Sequence, residues 1–300
     1  DRDGKDMFWN WIAGAAALGA AGLIRSEYEK RCLSTDHYEI ASSKIREEKT
    51  LVFLSDLHDQ EFGQDNEVLM EAISREKPDL ILIGGDMMVA RKKEKRGQRA
   101  DHAADKAWKL VRRLAKDHPV IYGNGNHEQR MARERTIYGN AFEDYVRRLE
   151  EAGVVYLSDR NILIGEDLAV GGLNISEKYY EKRTKARMGA DYVEARLGKA
   201  EAERFQILLA HSPLYFDAYG EWGADLTFSG HFHGGTVRLP FVGGLMTPQF
   251  QFFYPRCAGI FQEKGKWMIV SRGLGTHSIR IRFCNKPQVV VVRLKKITTF

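Results

Sequence analysis

The stretch Ala224-Asp225-Leu226-Thr227-Phe228-Ser229 runs directly into Gly230-His231-Phe232-His233. The first six residues read as a short buried strand, and the next four place two histidines around one aromatic residue. In an extended segment residues two apart point the same way. The two imidazoles therefore reach neighbouring points in space, with Phe232 turned away. They sit just past a strand end, where α/β sheets keep their ligand sites. A lone His-x-His is common by chance, so its meaning depends on partners elsewhere in the chain.

Those partners occur at four other strand ends. Residues 50–55 form a continuous apolar run, expected of a strand buried on both faces, and lead into Asp56-Leu57-His58. A helical pattern over 66–75 precedes a second buried strand, 79–83, ending in Gly84-Gly85-Asp86. A helix over 103–116 precedes a third strand, 119–122, ending in Gly123-Asn124-Gly125-Asn126-His127-Glu128. This alternation implies parallel strands joined by right-handed crossovers. Further on, the strand 205–209 ends in Ala210-His211. Taken singly, Asp56 reads equally well as a cap, Asp86 and Asn126 as turn residues, and His211 as a hydrogen-bonded core histidine. Their joint placement on strand ends that converge on one sheet edge favours a common site.

Imidazole and carboxylate donors suit divalent transition metals such as Mn, Zn, Fe, Co or Ni. A carboxylate shared by two cations roughly 3.5–4 Å apart makes a hydrolytic site that polarises a phosphoryl oxygen and activates a water. A histidine next to the ligands, such as His127, would then serve as general acid toward the leaving oxygen.

These blocks together resemble the calcineurin-like metallophosphoesterases: Asp56-Leu57-His58, Gly85-Asp86, Gly125-Asn126-His127-Glu128, His211 and Gly230-His231-Phe232-His233. The resemblance covers residues 50 to about 295. It implies an α/β fold, a four-layer α-β-β-α sandwich of two mixed β-sheets flanked by helices. It also implies that Asp56, His58, Asp86 and His233 hold one metal, and that Asp86, Asn126, His211 and His231 hold a second. His127 would protonate the leaving group, and Glu128 would orient His127. The implied activity is hydrolysis of a phosphomonoester, diester or pyrophosphate through metal-bound hydroxide. A scaffold with a vestigial metal site is the rival, and the complete donor set argues against it. The segments 234–240, 243–245 and 271–275 are similar to a bacterial membrane-associated branch, which itself resembles enzymes hydrolysing UDP-diacylglucosamine. A lipid-linked pyrophosphate is the narrower substrate this implies.

The rest of the chain sets the context. Of its 300 residues 43% are hydrophobic and 29% charged, which fits a globular protein, and no repeat or low-complexity linker divides residues 50–300. The net charge of +5 is compatible with an anionic substrate, and no basic-aromatic repeat suggests nucleic acid. Cys32, Cys257 and Cys284 are too few and too scattered for a disulfide framework. Residues 1–25 contain a charge-free run, 7–24, at the short end of the roughly 17–25 residues that span a bilayer. With Trp9 and Trp11 it reads as a membrane anchor or signal-like helix, against the alternative of a helix packed on the domain. This places the protein at the cell membrane, on a side the sequence leaves open. Residues 26–49 read as a connector with one strand at 37–40. The basic run 91–96 is either a solvated loop or a rim for an anionic substrate. The apolar stretch 241–255 either packs in the core or forms an acyl groove, and Arg272 and Arg280 are either phosphate clamps or members of ion pairs.

Overall fold

A computed structural model describes residues 2–92, 102–235, 237–239, 241–276 and 280–297. Residues 93–96 of the basic run, and Thr236 and Pro240 of the glycine-rich segments, lie outside these described residues. The helix α1 (Arg2–Glu29) opens the chain, and β1 (Ser34–Ser42) follows it.

Two six-stranded sheets carry the fold. The first takes β1, then β14 (Gln288–Lys296), β2 (Lys49–Leu54), β3 (Leu80–Ile83), β4 (Val120–Gly123) and β5 (Val155–Leu157), in that order. The pairings β2–β3, β3–β4 and β4–β5 are parallel, as the strand-helix alternation requires, and β14 runs antiparallel to β2. The second sheet is ordered β12 (Gly259–Glu263), β13 (Lys266–Val270), β9 (Leu226–Ser229), β8 (Phe205–Ala210), β7 (Leu168–Leu173) and β6 (Arg160–Ile164). Its inner pairings are parallel, and its two outermost pairings are antiparallel.

The period-2 alternation of strands sorts the side chains into layers. In β2, Leu51 and Phe53 face the second sheet, while Val52 and Leu54 face a helix layer. Leu80 and Leu82 are likewise sorted from Ile81 and Ile83, and Val290 and Val292 from Val289 and Val291. Leu51, Phe53 and Leu82 meet Ile207, Leu209, Leu226 and Phe228 between the sheets. On the outer face of the first sheet pack α2 (Glu67–Glu76), α3 (Asp105–Asp117), α4 (Asn126–Arg133) and α6 (Ala141–Glu151); the short α5 (Arg135–Tyr138) links the last two. On the outer face of the second lie α7 (Ala190–Leu197) and α8 (Phe216–Trp222). The result is the expected α-β-β-α sandwich.

Three segments differ from the sequence reading. The polar region before residue 49 contributes a full edge strand: β1 pairs in parallel with β14 from Ser34 to Ser42, well beyond 37–40. The aromatic stretch after residue 240 is largely outside the core. The small hairpin β10 (Arg238–Leu239) and β11 (Gly243–Gly244) leads into it, and Phe241, Val242, Phe252 and Phe253 are exposed. The third is α1, which continues to Glu29, past the expected boundary at residue 25; its residues 8–20 are exposed throughout and so do not pack on the domain. Among the described residues no helix is long and apolar enough to cross a membrane.

Phe53 is fully buried with its ring 4.7 Å from that of Phe228, and so joins the two sheets. Phe53→Ala should cost about 3–5 kcal/mol. A urea titration will show this as a lower midpoint at unchanged slope.

Candidate metal centre

Five parallel strands of the two sheets, β2, β3, β4, β8 and β9, end on one edge of the sandwich and deliver donors there. Asp56 and His58 follow β2, Asp86 follows β3, Asn126 and His127 open α4 after β4, His211 follows β8, and His231 and His233 follow β9. Five of these residues turn the chain through the left-handed region: Asp56, His58, Asp86, His231 and His233 have φ between +46° and +67°. For residues other than glycine that conformation costs about 1–3 kcal/mol each and clusters at functional sites. The tight turns are hydrogen-bonded to one another. Asp56 N–H donates to Gly85 O at 2.9 Å, His58 N–H to Asp86 O at 3.2 Å, and Gly230 N–H to His211 O at 3.1 Å. His231 N–H crosses between the sheets to Asp56 Oδ1 at 3.0 Å. Gly230 allows that approach, because a Cβ there would lie 2.2 Å from Asp56 Oδ2.

Three groups of donor atoms result, each close enough to hold a metal ion: Asp56, His58 and His233; Asp86, His211 and His231; and, between them, His58, Asp86 and His127. His233 Nε2 is 3.6 Å from Asp56 Oδ1 and 3.2 Å from His58 Nε2. Asp86 Oδ2 lies between the groups, 3.2 Å from His211 Nε2 and 3.9 Å from His58 Nε2. Its other oxygen accepts the His127 N–H at 2.7 Å, at the amino end of α4 where the helix dipole favours an anion.

A model of the calcineurin-like phosphoesterase family matches residues 49–235, which carry all of these donors. The chain belongs to that family. It is 28% identical to the metallophosphoesterase YkuE of Bacillus subtilis (strain 168), over 97% of this chain and 96% of that one. It is 25% identical to the phosphodiesterase YaeI of Escherichia coli (strain K12), over 81% of each. A shorter match, 32% identical over 97 residues, covers 29% of this chain and 28% of the UDP-2,3-diacylglucosamine pyrophosphatase LpxG of Chlamydia trachomatis. As a member of the calcineurin-like phosphoesterases the chain is a metal-dependent hydrolase of phosphoesters.

The donors fit divalent metal ions on the structure's own terms. His231 Nε2 and Asn126 Oδ1 are buried and have no hydrogen-bond partner, an arrangement that persists only where something else satisfies them. Hydrogen bonds on the far ring nitrogens aim two imidazoles inward: His211 Nδ1–H donates to Gly84 O at 2.7 Å and His233 Nδ1–H to Gly275 O at 3.2 Å. Burial, with His211 acting in the same direction, pushes His231 well below the ordinary histidine range, so it is neutral and ready to ligate. Burial pushes Asp86 upward, but His211, through its charge and its hydrogen bond, outweighs it and holds Asp86 well below the usual carboxylate range. Burial lowers His211, but Asp86 and Asp56 outweigh it and bring it up to about 10.

His127 also lies near the cluster, its Nε2 3.9 Å from Asp86 Oδ2, but its protonation state sets it apart. The Ala90 N–H donates to His127 Nδ1 at 2.8 Å. In the neutral ring the proton is therefore on Nε2, facing the site. That tautomer gives a proton instead of a lone pair. The sequence offered no sign that Ala90 would set it. Glu128 was expected to orient His127, and its hydrogen bonds go elsewhere. Its carboxylate accepts from Asp86 N–H at 2.8 Å, Met87 N–H at 3.0 Å, Gly125 N–H at 3.0 Å and Tyr122 O–H at 2.7 Å. It caps α4 as a box residue and locks the Asp86 turn. Arg272 is no phosphate clamp, because its guanidinium grips Asp36 at 2.9 Å and 3.1 Å and Ser34 Oγ at 2.8 Å. Arg280 is exposed and does not line the cavity over the metal ligands.

That cavity, about 250 Å³, is lined by the cationic Arg130 and Lys182 and by the apolar Met246, Pro248, Phe250 and Ile281, among others. With His211 raised to about 10, the metal-free cluster holds a proton at neutral pH that a metal must displace. Affinity for Mn²⁺ should therefore rise with pH up to that value and fall as pH drops. Calorimetry in buffers of differing ionisation enthalpy should show about one proton released on binding. Binding without proton release would contradict this assignment.

Proposed function

We propose that the protein hydrolyses a phosphodiester or pyrophosphate with an apolar substituent, using two divalent transition metal ions (Mn, Zn, Fe, Co or Ni) that share Asp86. The observation that carries this reading is the division of labour around Asp86: its Oδ2 lies 3.2 Å from His211 Nε2 and 3.9 Å from His58 Nε2, and a histidine whose tautomer makes it a hydrogen-bond donor stands beside them. When bound, the ions would neutralise the phosphoryl oxygens and lower the pKa of the attacking water. The remaining work falls to side chains. Asp56, His58 and His233 would hold one ion, and Asn126, His211 and His231 the other, with Asp86 common to both. Arg130 and Lys182 would draw the anionic group into the cavity. His127 would hold its Nε2–H toward the leaving oxygen and hydrogen-bond it as negative charge develops there.

Three observations support a lipid-linked substrate. Met246, Pro248, Phe250 and Ile281 give the cavity apolar lining. Phe241, Val242, Phe252 and Phe253 stand exposed on the loop that carries the first three, with Lys182 Nζ 4.4 Å from the Phe250 ring. Trp9, Trp11, Leu18 and Ile24 are exposed along α1, which supports membrane contact through that helix. The short match to LpxG, a pyrophosphatase of UDP-2,3-diacylglucosamine by name, fits the same reading.

His127→Ala should keep both metals while lowering kcat by about 10²–10⁴. The loss should be largest for alkyl leaving groups and smallest for nitrophenol; equal losses across the series would remove the proton-donor role. Turnover of a detergent-dispersed lipid pyrophosphate should exceed that of a soluble diester, and the protein should float with anionic vesicles. Preference for the soluble compound would remove the lipid reading and leave the hydrolase.

A further inference from the structure

The last turn of α1 faces inward, unlike the exposed helix before it. Ser26 and Glu29 are each 1% exposed. Both accept hydrogen bonds from the segment that closes the active-site cavity. Arg282 N–H donates to Ser26 Oγ at 3.0 Å, and Asn285 N–H donates to Glu29 Oε2 at 2.9 Å. Lys30 Nζ reaches the Arg280 carbonyl at 3.0 Å. The other Glu29 oxygen is held by Arg25 Nε at 2.7 Å.

From there the chain of bonds runs to a metal ligand by two routes. Asn285 Nδ2 donates to the backbone carbonyl of His233 at 2.6 Å. Arg282 Nη2 donates at 2.6 Å to the carbonyl of Gly275, the same oxygen that receives His233 Nδ1–H. Arg282 Nη1 ties the routes together through Asn285 O at 3.0 Å. Gly275 N–H also donates to Asp56 O at 2.6 Å. Arg282 is a charged residue only 1% exposed, and both of its terminal nitrogens donate to backbone carbonyls. His233 sits in the left-handed region at φ +48°, a conformation its surroundings must hold in place. The opposite donor group leans on other elements, since His211 is held by Gly84 and Asp86 by Glu128.

We propose that Glu29 and Arg282 are positioning residues for His233, so that the end of the N-terminal helix sets one half of the metal centre. The proposal rests on the two-metal reading above. Outer-shell partners of metal ligands typically carry 10–100-fold in affinity, and this pair acts on both the backbone and the ring of one ligand.

The test titrates the metal-free full-length protein with Co²⁺ and follows the visible absorption bands, which report coordination without turnover. Glu29→Ala should weaken one of two Co²⁺ sites by about 10–100-fold and change its bands, with the other site as in the wild type. Glu29→Gln keeps an acceptor for the Asn285 N–H and should restore most of the lost affinity. Leu18→Gln, on the exposed part of α1, should change neither site. Ser26→Ala gives a second, milder route to the same shift should Glu29→Ala fold poorly. Two wild-type Co²⁺ sites in Glu29→Ala, or equal weakening of both, would overturn the proposal. Failure of the wild type to bind two Co²⁺, or undiminished binding by Asp86→Asn, would instead overturn the two-metal reading beneath it.

Discussion

Everything at the edge of the sandwich answers to one electrostatic constraint: two carboxylates, Asp56 and Asp86, are fully buried side by side. Isolated buried anions are costly enough that they pair, coordinate or take up protons. Here burial pushes Asp56 up while Asp86 is held down by its imidazole neighbours, so the metal-free cluster already shares protons unequally. Cations resolve the conflict better than protons, because each donor group then faces a full positive charge at ligand distance. The histidines near these carboxylates are thus the frame that keeps the pair in the protein until metals arrive.

Holding that frame strains the backbone, and the sheets absorb the strain. Five residues of the donor cluster adopt left-handed φ, on the order of 5 kcal/mol or more in total. Gly85, at φ +86°, packs so closely that a Cβ would lie 1.9 Å from Gly125 N, which lets the β3 and β4 turns touch. Apolar burial between the sheets, at about 1.5–3 kcal/mol for each large side chain such as Phe53, Phe228 or Ile207, outweighs this easily. The geometry of the site is therefore set by where the strands end, and the strands are fixed by their alternating apolar faces.

That logic explains what could be read in the sequence. The runs 50–55, 79–83 and 205–209 are apolar because both faces are covered, and the donors follow them directly, so strands and ligands were visible together. The edge strand β1 was only partly visible: Ser34–Ser42 is polar because one side lacks a sheet partner and few of its residues are buried. Helix α8 escaped because seven residues, opened by a turn at Pro213, give too little periodicity to read. Arg282 carried no signal at all, since a charged residue reads as surface and its burial depends on carbonyls brought together by the fold. Glu128 was legible in a way that favoured the wrong partner. The Gly125-x-x-Glu128 spacing is that of a helix cap, and the cap is what its carboxylate makes.

The division between Glu128 and Ala90 has a chemical consequence. If a carboxylate held His127 Nδ1, it would stabilise the imidazolium and make the ring a weaker acid. A backbone N–H at that nitrogen does the opposite, because it occupies the lone pair that a second proton would need. In the neutral ring the only proton is then on Nε2. Such a ring gives up that proton less readily than an imidazolium would, so in the proposed reaction it would act by hydrogen-bonding the departing oxygen as negative charge develops there. The contribution of His127 should then track the charge on the leaving oxygen, while Glu128, committed to the backbone of Asp86, Met87 and Gly125 and to Tyr122 O–H, fixes the turn that carries Asp86.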